Sequence, residues 1–122
     1  MKYAFATLLV LISLVAGAAR AETFAPVKDL PTFLQLVEGR NLRIGLYNLT
    51  LQLSPDGLVT GSALGWDITG TWRWEDGYFC RELDWSGYAV PDNCQLVEAQ
   101  GTNQLRFTTD KGVGDSASFK LR

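Results

Sequence analysis

The sequence predicts an all-β protein, a small antiparallel meander that closes into a seven- or eight-stranded barrel behind one short N-terminal helix. Three observations predict it. After Arg40 the apolar residues recur with period two rather than 3.6. Turn-forming clusters (Ser54-Pro55-Asp56-Gly57, Glu75-Asp76-Gly77, Gln100-Gly101-Thr102-Asn103 and Asp110-Lys111-Gly112) divide those runs at short intervals. A meander of so many short strands has two edges to protect, and closure into a barrel removes both. A two-sheet sandwich is the alternative.

Residues 1–21 read as a cleaved signal peptide. Lys2 supplies the positive start, Leu8 to Val15 a short apolar run, and Ala19-Arg20-Ala21 the small-x-small cleavage pattern, so the mature chain is expected to begin at Glu22. The apolar run is too short to span a membrane. Residues 22–40 form a lead-in containing Pro26 and Pro31, followed by a short helix: Pro31 suits its first turn, Phe33, Leu34 and Val37 recur at helical spacing, and Gly39 can end it.

The β-barrel domain occupies 41–122. Leu49, Leu51 and Leu53 alternate with polar residues, as do Ile68, Trp72 and Trp74, then Leu105 and Phe107, then Ala117, Phe119 and Leu121. These eleven residues are the expected core. Val59-Thr60-Gly61 and Ile68-Thr69-Gly70 echo each other nine residues apart, with glycine expected where strands coil or approach closely. A membrane-spanning barrel is disfavoured because its strands need about 9–11 residues each.

Removing 21 of the 122 residues leaves 101, enough for one domain with one core. The mature chain carries nine basic residues against 13 acidic ones. An acidic chain without a basic run does not suit nucleic acid or anionic lipid, and the predicted mature N-terminus has no cysteine for a lipid anchor. Export to a periplasmic or extracellular compartment and an even cysteine count make Cys80–Cys94 a disulfide.

Candidates for chemistry are few. With no histidine, the chain lacks the usual general base and the commonest metal ligand. No phosphate-cradling glycine loop occurs, and the spacing of Asp56, Asp67, Asp110 and Asp115 matches no calcium loop. No cofactor and no metal are expected. Glu75, Asp76, Glu82, Asp84 and Asp92 lie near Trp72, Trp74, Trp85, Tyr78 and Tyr88, an inventory compatible with a carboxylate-dependent glycan hydrolase; turn and surface roles explain the same acids more simply.

The densest segment runs from Trp72 to Arg81. If Trp72 and Trp74 point inward, alternation after the turn carries Phe79, Arg81, Leu83 and Trp85 inward too, whereas a bulge at Gly77 would bring Cys80 inward instead. An inward arginine must be partnered. It is expected either to stack on an aromatic ring or meet backbone carbonyls, or to serve as an anion-binding group in a ligand cavity. Trp72, Trp74, Arg81 and Trp85 are therefore the candidate ligand-binding residues.

The run Gly70-x-Trp72-x-Trp74-Glu75-Asp76-Gly77-Tyr78-Phe79-Cys80-Arg81, followed by Cys94-Gln95 and Lys111-Gly112-Val113-Gly114, resembles a group of small exported alphaproteobacterial proteins, some of which bear the automatic name dihydrodipicolinate reductase. That name implies a cytoplasmic, two-domain, nicotinamide-dependent enzyme, which a short exported chain without a dinucleotide fingerprint does not fit. In outline the meander is also similar to lipocalin-like and avidin-like barrels, a likeness of fold alone. The expected function is an exported, non-catalytic binding protein for a small ligand or a partner protein.

Overall fold

The structure, a computed structural model, describes residues 23–122. The expected signal peptide lies outside the described residues. The chain runs β1 (Ala25–Val27), α1 (Leu30–Val37), β2 (Leu42–Ile44), a single 3-10 turn (Gly45–Tyr47), β3 (Leu49–Leu53), β4 (Leu58–Ala63), β5 (Trp66–Glu75), β6 (Tyr78–Trp85), β7 (Tyr88–Gln100), β8 (Gln104–Thr108) and β9 (Ser116–Leu121).

Strands β2 to β9 close into an eight-stranded antiparallel barrel in which sequence neighbours pair throughout, and β9 returns to β2 to complete the ring. Strand β7 is the longest and works in two halves. Its first half, up to Gln95, pairs with β6; beyond that, β1 takes over the same edge, with Val27 opposite Val97. On its other edge β8 pairs only from Leu96 onward. The β4–β5, β5–β6 and β6–β7 hairpins turn on Leu64-Gly65, Asp76-Gly77 and Ser86-Gly87, both residues at positive φ in every case. That pairing matches the right-handed twist of the flanking strands.

Helix α1 starts and stops where the sequence predicts. The Asp29 side chain accepts from the Thr32 N–H at 2.9 Å, Pro31 lies in the first turn, and the Glu38 N–H closes onto Leu34. Its apolar face enters the end of the barrel that carries the β5–β6 hairpin. There Phe33 is fully buried, with its ring 5.0 Å from Trp74, 5.4 Å from Phe79 and 5.7 Å from Trp72. Val27, Val37, Leu42, Val59, Val97, Leu105, Phe107, Phe119 and Leu121 complete this core.

Several expectations are corrected. The lead-in contributes strand β1, and Leu42–Ile44 adds a strand that too short a run concealed. Leu49, Leu51, Leu53 and Trp74 pack against the core but stay half-buried, the leucines because they line a cavity, and Ala117 is exposed. No bulge occurs at Gly77: β5 and β6 pair without interruption from Ile68–Trp85 to Glu75–Tyr78, and the irregularity lies instead between β6 and β7 at Arg81/Leu83. The Asp110-Lys111-Gly112 turn is left-handed at all three residues and folds back onto β7, held by Asn93, which donates to Asp110 Oδ1 at 2.8 Å and accepts from its N–H at 2.9 Å.

Candidate functional site

Alternation along β3, β5, β6 and β7 places one face of each strand inside the barrel. At the α1 end that face meets the helix and is packed solid. Above it the inward leucines pack against the core on one side only, and a cavity of about 190 Å³ remains. Its wall is apolar, built mainly from Leu49, Leu51, Leu53, Ile68, Leu83 and Val90, with Phe79, Phe107 and Phe119 beneath.

Two polar side chains interrupt this wall, Arg81 and Gln95. Phe79 pairs with Gln95 and Arg81 with Asn93, so Arg81 and Gln95 are diagonal neighbours on β6 and β7. Just beyond, two residues of β7, Pro91 and Asp92, stand opposite the single Glu82. This bulge tolerates a proline in a long strand and frees the Pro91 carbonyl from the ladder. Arg81 Nη1 donates to that oxygen at 2.6 Å. Burial lowers the pKa of Arg81 and the charge of Asp92 opposes the shift; a guanidinium remains cationic throughout. Gln95 is 9% exposed as a residue; its amide bonds no protein group and is open to the cavity, since no fully buried side-chain polar atom among the described residues is left unbonded.

Comparison of the chain with protein-family models, curated proteins and solved structures gives no match. The site therefore stands on its geometry.

The cavity opens at the end opposite α1. An apolar recess of about 420 Å³ there is lined by Tyr47, Ala63, Leu64 and Trp85 together with Leu49, Ile68, Leu83 and Val90, and these last four also line the cavity. Around this mouth Leu46 (83%), Leu64 (58%), Trp66 (63%) and Tyr88 (70%) are largely exposed. Large exposed apolar side chains gathered at one end are a feature that binding surfaces share.

Of the four predicted ligand residues, the structure brings Arg81 to the cavity and Trp85 to its mouth, where the indole donates to the Ala63 carbonyl at 3.2 Å. Trp72 and Trp74 share the inward face but sit at the level of Phe33, so they form the seat of the helix; the Trp72 indole also donates to the Ser54 carbonyl at 2.9 Å. The residue that sequence reasoning missed as a site candidate is Gln95. Alternation from an outward Cys94 would have found it.

The acids do not converge. Glu75 and Asp76 end a hairpin, Glu82 is exposed on the outer face, Asp84 accepts from the Gly87 N–H at 2.9 Å, and Asp92 is held by Arg73. None lines the cavity. Cys80 and Cys94 are directly paired across β6 and β7 and bonded to each other, so the nearby Glu75 does not complete a metal set.

Proposed function

We propose that this is an exported, non-catalytic binding protein that holds a small apolar ligand inside its barrel. The observation that carries the reading is the apolar cavity above α1, open at one end through an apolar recess. Unfilled apolar volume in a small domain sacrifices packing energy, which a ligand restores. Export is supported by the leader pattern in residues 1–21 and by the Cys80–Cys94 disulfide. The scatter of the acids over turns and outer strands favours binding over glycan hydrolysis.

The barrel also has the wrong polarity for a transmembrane one. Its outward positions Thr60, Thr69, Thr71, Arg73, Glu82 and Asp84 are exposed and polar while its interior is apolar, the reverse of the lipid-facing arrangement. Among the described residues no helix is long and apolar enough to cross a membrane.

A neutral fluorescent apolar probe, N-phenyl-1-naphthylamine, tests the reading. Wild type is expected to enhance its emission saturably, and Leu51→Trp, which fills the cavity, to abolish the effect while retaining the fold by circular dichroism. Equal emission from both proteins would refute a ligand in the barrel. A second reading, a partner protein masked through the rim, is favoured by the exposure of Trp66 and Tyr88. It predicts that Trp66→Ser with Tyr88→Ser loses a co-purifying protein yet still binds the probe.

A further inference from the structure

We infer that the ligand is a single-chain amphiphile with a carboxylate head, and that Arg81 and Gln95 receive that head; the inference rests on the barrel being a binding cavity. A guanidinium has five N–H donors, and Arg81 uses one, on the Pro91 carbonyl. It forms no ion pair among the described residues, and no aromatic ring lies over it. The one acid whose charge acts on it, Asp92, is committed to Arg73 through bonds of 2.7 and 3.2 Å. A cation on an otherwise apolar wall is costly without a counter-charge.

Gln95 offers the same opening in neutral form. The residue as a whole is 9% exposed and lines the cavity, its amide has no protein partner, and because no fully buried side-chain polar atom among the described residues lacks a partner, that amide is open to the cavity. Donors left open on an apolar wall suit an acceptor that arrives from solution, and one acceptor can serve both side chains. A carboxylate satisfies them together: it is planar, takes two donors from a guanidinium fork and has lone pairs left for an amide N–H. The remaining wall supplies no donor or acceptor, which suits an unbranched apolar chain. That chain would follow Leu49, Ile68, Leu83 and Val90, the residues shared by cavity and mouth. A fully apolar ligand would strand Arg81, and a cationic one would be repelled by it.

Displacement of N-phenyl-1-naphthylamine by n-decanoate and by n-decanol, equal in chain length and different in head, provides the test. In wild type decanoate is expected to compete at a concentration lower by about tenfold or more, the worth of a charge-assisted bond. Arg81→Met should bring the ratio close to one, Arg81→Lys should keep part of it, and Gln95→Leu should reduce it. Equal competition by the two ligands in wild type would overturn the inference and leave the binding cavity standing, as would a preference that survives in Arg81→Met. If the probe itself does not bind, the cavity reading fails and the head-group assignment fails with it. Should Arg81→Met not fold, the wild-type ratio and Gln95→Leu decide alone.

Discussion

Arg73 and Arg81 lie on neighbouring strands with opposite surroundings. Arg73 faces outward between Glu75 at 3.0 Å and Asp92 at 2.7 Å, and these acids raise its pKa. The hydrogen bonds from Arg73 in turn hold the Asp92 carboxyl below the usual range. A depressed carboxylate stabilises the fold above its unfolded pKa of about 3.9, and that stability is lost as pH falls through the lower folded value. Wild type should therefore melt above Asp92→Asn at pH 7, and the gap should narrow below about pH 4; a constant gap in thermal melts would show that the carboxylate charge is irrelevant. Phe33→Ala should cost roughly 3–5 kcal/mol by chemical denaturation, since the ring is fully buried among four aromatic partners. The inward placement of Arg81 was legible because period two holds unbroken through the Gly77 turn. That Trp72 and Trp74 meet a helix while Arg81 meets a void was not, because alternation tells inside from outside and says nothing about height along the barrel axis.

At the scale of elements, the helix was readable from Pro31, Phe33, Val37 and Gly39 because a first-turn proline, an apolar face and a stop all agree. Strands β1 and β2 were not, since three residues show too few alternations to rise above chance. The repeated Thr-Gly also has a physical account. A Cβ at Gly61 would overlap the Thr50 carbonyl of β3, and one at Gly70 the Glu82 carbonyl of β6. Bare backbone at these two places lets β4 approach β3 and β5 approach β6, so that four successive strands can coil, which closing a small barrel demands. Gly61→Ala and Gly70→Ala should each destabilise the protein well beyond the ordinary alanine effect in a strand, measured as a fall in Tm; unchanged melting would mean that the sheet can open without cost. The disulfide joins β6 to β7 beside the bulge, across a sequence separation of 14. Its removal by Cys80→Ala with Cys94→Ala should cost about 3 kcal/mol.

For the whole molecule, the consistent feature is inversion of polarity across a single sheet, charged and threonine-rich outside, leucine-rich within. One end is filled by α1 and the other is ringed by loops. A vessel sealed at its base cannot be flushed through. An incoming molecule has no back exit through which to push an earlier occupant, so replacement must begin with departure. Exchange of a bound fluorescent probe should then proceed at a rate independent of the competitor's concentration, in stopped-flow records taken with increasing excess of unlabelled ligand. A rate that climbs in proportion to the competitor would reveal a second door, and the place to look for it is beside the first half of β7, where no strand of β8 lies along its edge.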